Sequence, residues 1–171
     1  RRSSSSRVWS SAPAPMAEHA YATALRWDGN RGEGTACYRG YGREHVISAP
    51  GKPDLAASSD PAFRGDSARW NPEELLVAAL SSCHLLFYLH LCAEAGVVVV
   101  AYEDDASGVM VQGADGGGEF REVVLRPRVK VAEDSMVEAA TAQHERAHGL
   151  CFIARSVSFE VRHEPVVKVA P

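Results

Sequence analysis

Residues 70–95 read WNPEELLVAALSSCHLLFYLHLCAEA, and this stretch decides the fold. Asn71 is a favourable N-cap, Pro72 suits the first helical position, and two acidic residues follow in the first turn. A helix is therefore predicted to begin here. It is predicted to run to about Ala95, because Gly96 is a natural helix stop.

The apolar side chains of this predicted helix do not form one stripe: Leu75, Leu76, Leu80, Leu85, Leu86, Phe87, Leu89 and Leu91. A helix that is apolar on several sides is predicted to lie at the centre of the fold. One domain of this size offers little else to cover it, so burial against a second copy is economical. The sequence therefore favours a homodimer. The stretch is long enough to cross a bilayer, but polar residues interrupt it, so no membrane partner is expected.

The residues before this helix predict strands and a long loop. Strands at 21–27 and 35–39 flank turn residues and are predicted to form a hairpin, and a third strand is predicted at 45–48. Residues 49–69 contain three prolines and two glycines. A connection of this length is predicted to be a functional loop.

The residues after the helix predict further strands and one more helix. The predicted elements are strands at 97–102, 109–111 and 123–131, a helix over 133–148 closed by Gly149, and a last strand at 157–161. This order of strands and helices predicts an α+β fold.

Length and composition fit a single globular domain. The chain has 171 residues, of which 46% are hydrophobic and 23% charged, and its net charge of −4 gives no reason to expect a nucleic acid partner. Residues 1–15 contain arginine and serine but no acid. We predict that 1–16 form a disordered tail, transit-like or left from expression, and that 17–171 form the single domain. The expected location is the cytoplasm, or an organellar matrix if the tail is a transit peptide.

The four cysteines are too few and too widely spaced for a disulfide scaffold, and no CxxC pair suggests zinc. Cys83 and Cys92 lie nine residues apart on the predicted helix, which at about 100° per residue places them on opposite faces. They are therefore not partners. Cys92 and Cys37 are most simply small buried apolar residues.

Three motifs resemble the OsmC/Ohr family: WNPEELL at 70–76, AALSSCH at 78–84 and AHGLCFIA at 147–154. The resemblance implies an α+β fold in which curved antiparallel sheets wrap around central helices in an intertwined homodimer. It also implies that Cys83 is the peroxidatic cysteine and Cys151 the resolving one.

The chemistry that the resemblance implies is reduction of organic hydroperoxides. A thiolate attacks the distal peroxide oxygen, alkoxide leaves, and a second thiol captures the sulfenic acid as a disulfide. No cofactor is expected beyond an external dithiol reductant, of lipoyl type or a small thiol. Leu80, Phe87 and Phe152 near the cysteines favour a bulky organic peroxide.

A free thiol has a pKa of roughly 8.5, so the attacking cysteine needs a cationic neighbour. In the family an arginine has this role and is held by the glutamate of the NPE element, which corresponds here to Glu73. Ten residues separate Glu73 from Cys83, a rise of about 15 Å, so the site is expected to be completed across the dimer interface. Arg64 is the preferred arginine because it matches OsmC-type members.

Other assignments of the arginine stay open. Arg31 matches Ohr-type members, and Arg43 also lies in a plausible segment. Arg64 could instead anchor its loop by pairing with Asp66.

Departures from the family motifs leave substrate and reductant open. Phe152 stands where proline is common after the second cysteine, and His84 adjoins the first. The histidines do not form a metal-binding motif. Four of them are therefore predicted to be surface or capping residues: His84, His90, His144 and His148.

Two other functions are compatible with the sequence. One is a hydrolase in which Cys83 is an acyl-transfer nucleophile and His148 its base. The other is a non-enzymatic module that binds an apolar ligand.

Overall fold

The computed structural model describes residues 17–171, so the prediction made for residues 1–16 lies outside the described residues. The strands are β1 (Ala24–Trp27), β2 (His45–Ser48), β3 (Leu55–Ala57), β4 (Val99–Asp104), β5 (Ser107–Gln112), β6 (Gly118–Leu125), β7 (Pro127–Val131), β8 (Glu160–His163) and β9 (Val166–Val169). The two α-helices are α1 (Pro72–Glu94) and α2 (Val137–Leu150).

The strands form three small sheets, with orders β1-β2-β3, β4-β7-β9 and β5-β6-β8. The α+β class is confirmed. Neighbouring strands are antiparallel except in two pairs, β6 with β8 and β7 with β9, which are parallel. The last two strands therefore return to two different sheets.

Helix α1 begins as the sequence predicts. The Asn71 side chain accepts a hydrogen bond from the Glu74 amide at 2.7 Å, and the Glu74 carboxylate accepts one from the Asn71 amide at 3.3 Å. This reciprocal capping box satisfies two backbone donors at the helix start. The helix ends at Glu94, and Gly96 follows with φ +70°, a conformation that glycine adopts without a side-chain clash.

The buried side of α1 consists of five residues: Leu80, His84, Tyr88, Leu91 and Cys92. By length and composition α1 could cross a bilayer, but here it packs against α2. The chain by itself does not cover the helix all round, because Leu86 is 64% exposed and Leu89 38%. The single chain thus leaves the apolar surface that led us to expect a homodimer.

Two apolar cores meet along α1. The first joins α1 and α2 to β7: Tyr88, Leu91, Cys92, Val97, Val129, Val131, Ala140 and Ala147. The second packs α1 on β6: Leu80, Val123 and Leu125, with Phe120, Ile153, Val157 and Phe159 around them. His84 lies between the residues that α1 gives to the two cores.

The predicted N-terminal hairpin is wrong. Strand β1 pairs with β2 and not with residues 35–39, which form bends and turns. The Arg43 guanidinium donates to the Tyr41 and Tyr38 carbonyls at 2.6 and 3.0 Å and holds this segment curled. The β1–β2 pairing continues instead beyond the two strands, where the Gly42 amide donates to the Gly29 carbonyl. The two backbones approach so closely that a Cβ on Gly29 would lie 2.0 Å from the Gly42 carbonyl oxygen.

The strand predicted at 123–131 is two strands in different sheets. Pro127 has no N–H for the ladder, and the Arg126 amide donates to the Asp104 carboxylate at 2.6 Å. The chain therefore changes sheets at Arg126. Two other predictions need correction: Gly149 lies inside α2 rather than closing it, and residues 49–69 contain β3 and a short 3-10 helix, Pro61–Phe63.

Replacing Asn71 with alanine is expected to lower the free energy of unfolding by about 1 kcal/mol, because the capping box is lost. Urea denaturation measures the change. Glu133→Ala is the control, since Glu133 precedes a 3-10 helix without a side-chain capping bond. Equal losses in the two variants would show that the cap of α1 has no special weight.

Candidate active site

The structure brings Cys83 and Cys151 together. Cys83 is partly exposed midway along α1, and Cys151, only 1% exposed, follows the last residue of α2. Both thiols are free. Burial first, and then a hydrogen bond with the Cys83 thiol, raise the pKa of Cys151 to about 11. Cys151 is therefore protonated at neutral pH, next to a more accessible sulfur.

The end of α2 fixes the position of Cys151. Its amide donates to the His148 carbonyl at 3.3 Å, and its carbonyl accepts from the Arg155 amide at 3.0 Å. The Ala154 amide points at its sulfur at 3.4 Å. The second thiol is thus held by backbone contacts on both sides.

Glu73 lies in the first turn of α1, ten residues before Cys83, and is not brought to the thiol pair within one chain. Its Oε2 atom is buried and has no hydrogen-bond partner within the described residues. A buried carboxylate oxygen without a donor is costly. The residue therefore offers an unused acceptor.

Glu73 borders a cavity of about 810 Å³. Helix α1 contributes Val77, Ala78, Ser81, Ser82 and Leu85 to its wall, and Phe63, Trp70, Met110 and Phe120 close the other sides. The Ser81 hydroxyl donates to Asp104 at 2.5 Å there. Cys83 is not among the lining residues, because on a helix it lies about 100° further round than Ser82. The cavity and the thiol pair are on different flanks of α1.

Two of the three candidate arginines are occupied by other contacts. The Arg43 guanidinium lies against two aromatic rings, 4.6 Å from the Tyr38 centroid and 4.0 Å from that of Tyr41. Arg31 lies 3.8 Å from the Glu44 carboxylate. Among residues 17–171, neither guanidinium hydrogen-bonds to a cysteine sulfur.

Arg64 is exposed and forms no ion pair within the described chain. The alternative pairing with Asp66 is not observed, because Asp66 pairs with Arg69 at 3.6 Å. Arg64 has φ +68°, the left-handed region that residues with a Cβ rarely adopt. The next residue must be glycine, since a Cβ on Gly65 would lie 1.5 Å from the Ser59 carbonyl oxygen. The loop thus holds Arg64 in a strained, defined backbone conformation.

A buried histidine pair was missed by the sequence reasoning. The rings of His84 and His144 are almost parallel, and His84 Nε2 lies 3.0 Å from His144 Nδ1. The Tyr88 ring stacks on His144 with centroids 3.9 Å apart. Both histidines are at most 1% exposed, so the prediction that they are surface residues is wrong. His90, in contrast, is exposed and pairs with Glu94 at 3.3 Å, as predicted for a surface histidine.

The pair continues towards the surface through His163, whose ring centroid is 5.6 Å from that of His84 and 5.4 Å from that of His148. His163 then reaches Glu145 at 3.3 Å. Within residues 17–171 no group of three or more potential ligands is arranged to hold a metal ion. Burial lowers the pKa of His84 to about 4 and that of His144 to about 3, so both are neutral at pH 7.

A spacing signal for this pair was present in the sequence. His84 and Tyr88 lie four residues apart, in step with Leu80 and Leu91 on the buried side of α1. This spacing, and not the lack of a metal-binding motif, indicates whether His84 is buried.

Comparison with known proteins gives a consistent set of relatives. The family described as OsmC-like protein matches residues 65–165. An OsmC-like protein of unknown function from Vibrio cholerae is 32% identical, covering 88% of this chain and all of its own, with a TM-score of 0.76. An organic hydroperoxide resistance protein from Elizabethkingia anophelis is 17% identical over 90% of this chain and all of its own, with a TM-score of 0.63. The uncharacterized protein YmaD of Bacillus subtilis is 23% identical over 90% of this chain and 98% of its own.

Lowering the pH from 7 towards 4 is expected to destabilise the fold through the histidine pair. In the unfolded chain these histidines take up protons near the ordinary pKa of 6.5, whereas in the folded chain they stay neutral down to about 4 and about 3. The unfolded state then binds more protons, so the free energy of unfolding falls by about 1.4 kcal/mol per pH unit for each group. Urea unfolding across this pH range measures the slope.

The matched variants are His84→Gln and His90→Gln. The first removes one buried titrating group and is expected to flatten the slope, whereas the second changes an exposed histidine and leaves it. An unchanged slope in His84→Gln would mean that other groups cause the acid sensitivity.

Proposed function

Because this chain belongs to the OsmC-like protein family, we propose that it is a thiol-dependent peroxidase that reduces organic hydroperoxides to alcohols. The observation that carries the proposal is the pair of free thiols, one accessible and one buried, at the junction of α1 and α2. The name of the Elizabethkingia anophelis relative, an organic hydroperoxide resistance protein, points to the same chemistry.

In the first step the Cys83 thiolate attacks the distal oxygen of the hydroperoxide. The O–O bond breaks, the sulfur is oxidised to a sulfenic acid, and the alkoxide takes up a proton to leave as the alcohol. Cys83 suits this role because it is the more exposed member of the pair.

In the second step Cys151 attacks the sulfenic sulfur. A disulfide forms between the two residues, and the thiol proton of Cys151 leaves with the hydroxide as water. The raised pKa of Cys151 discourages the buried sulfur from competing for peroxide. An external dithiol, of lipoyl type or a small thiol, then reduces the disulfide and is itself oxidised. These thiols need a reducing compartment such as the cytoplasm.

Activation of Cys83 is assigned to a cation brought by a second copy of the chain. The Arg64 guanidinium lies 6.0 Å from the centroid of the Tyr38 ring and forms no ion pair within the described residues, and Glu73 has a buried, unused acceptor oxygen. The two side chains are therefore chemically complementary. Glu73 lies about 15 Å along α1 from Cys83 of its own subunit. A homodimer in which the Arg64–Glu73 pair of one subunit faces Cys83 of the other accounts for this arrangement and covers exposed Leu86 and Leu89.

A second candidate function is binding of an apolar ligand, which the cavity of about 810 Å³ favours. Such binding would need neither thiol. Peroxide consumption that depends on Cys83 separates the two candidates.

Cys83→Ser is expected to abolish hydroperoxide reduction, because the attacking sulfur is gone. Cys92→Ser is the matched control on the same helix and is expected to retain most activity, since Cys92 is buried in the first core. Turnover with a dithiol is measured as peroxide consumption. In the wild type, one equivalent of peroxide should yield a Cys83–Cys151 disulfide, seen by mass spectrometry. Equal activity of the two serine variants would refute the peroxidase assignment.

Arg64→Ala is expected to slow peroxide attack about tenfold at pH 7, because the attacking thiolate loses the cation that stabilises it. The loss of rate should become smaller as the pH rises, because a more alkaline solution deprotonates the thiol without help from the arginine. Stopped-flow rates against an organic hydroperoxide measure this.

Arg31→Ala and Arg43→Ala are the controls for the arginine assignment. A collapse of the rate in either control, with Arg64→Ala unchanged, would move the role to that arginine. If all three variants keep the wild-type rate, an arginine does not activate Cys83.

A further inference from the structure

An aromatic pair lies beside the two thiols. Phe87 follows Cys83 by four residues on α1, which puts both side chains on one side of the helix. Phe152 is the next residue after Cys151. The two rings meet edge to face, with centroids 4.9 Å apart and planes at 86°. The contact between the thiols and the contact between the rings therefore join the same two segments.

Contacts with the rest of the chain hold the aromatic pair in place, but one of its rings is exposed to solvent. Phe87 packs on the first core, and the Phe152 carbonyl accepts a hydrogen bond from the Ser156 hydroxyl at 2.7 Å. Yet the Phe152 residue is 65% exposed. A large aromatic ring that is held in place and exposed to solvent can bind an apolar group. Leu80, also expected beside the cysteines, is fully buried and is not available to a substrate.

We infer that Phe152, backed by Phe87, is the specificity-determining surface that receives the organic group of the hydroperoxide and favours an aryl substituent. This inference rests on the proposed peroxidase function. An aryl ring beside Phe152 would gain aromatic contact in addition to apolar burial, whereas a small alkyl group would gain only burial. The substrate class is thus an arylalkyl hydroperoxide, with its peroxide oxygens directed at Cys83.

Two peroxides isolate the aryl contribution. Cumene hydroperoxide and tert-butyl hydroperoxide share a tertiary carbon and differ by phenyl against methyl, and hydrogen peroxide has no organic group. In Phe152→Ala, the ratio of kcat/KM for cumene hydroperoxide to that for tert-butyl hydroperoxide is expected to fall by about threefold to tenfold. The rate with hydrogen peroxide is expected to stay unchanged.

Leu150→Ala is the matched control, because Leu150 flanks Cys151 on the other side and is also exposed. It is expected to keep the wild-type ratio. Phe152→Leu tests aromaticity itself and should lose most of the preference while remaining apolar.

Three results would overturn the inference. An unchanged ratio in Phe152→Ala would remove Phe152 from the substrate surface. An equal loss for all three peroxides would mean that Phe152 only positions Cys151. The same equal loss together with dissociation of the dimer, measured by sedimentation, would mean that a second copy covers the ring. If the wild type consumes none of the peroxides, the proposed function fails first, and this outcome is distinct from the other three.

Discussion

The packing of α1 against α2 is the contact on which the rest of the structure depends. It is made by the buried side of α1, where Tyr88 and Leu91 enter the core shared with α2 and His84 lies against His144. Because Cys83 lies next to His84 and Cys151 directly follows α2, the same packing sets the distance between the two thiols. Fold stability and thiol chemistry therefore share one interface.

That interface contains an unusual polar element for a helix junction. A leucine pair would fill a comparable volume without the cost of buried ring nitrogens, three of which have no partner within the described chain, His84 Nδ1, His144 Nε2 and His163 Nδ1. The stacked rings offset part of that cost through aromatic contact with Tyr88. The packing of α1 against α2 is therefore stable when the histidines are neutral and less stable when they are protonated.

How far the sequence predicts this structure depends on whether the deciding signal is local. The start of α1 was predicted correctly because Asn71, Pro72 and Glu74 interact within one turn. The N-terminal hairpin was wrong because its outcome depends on Arg43 and on the close approach of Gly29 and Gly42, which no short window reveals. The strand at 123–131 was split by a contact with Asp104, more than twenty residues away. The prediction that Cys83 and Cys151 lie together came from the family resemblance. The family motifs do not predict the histidine pair.

The position of Glu73 shows why one chain does not complete the proposed site. Helix geometry alone puts Glu73 about 15 Å along α1 from Cys83, and the loop that holds Arg64 precedes the same end of the helix. Glu73 does not reach the thiols of its own chain by a side-chain rotation, since this separation exceeds the length of its side chain. The strained backbone at Arg64 and the buried, unpaired oxygen of Glu73 are both costs that a single subunit does not recover. A second copy that supplies the missing partners would offset these costs, so the same two residues that argue for activation of Cys83 also argue for the dimer.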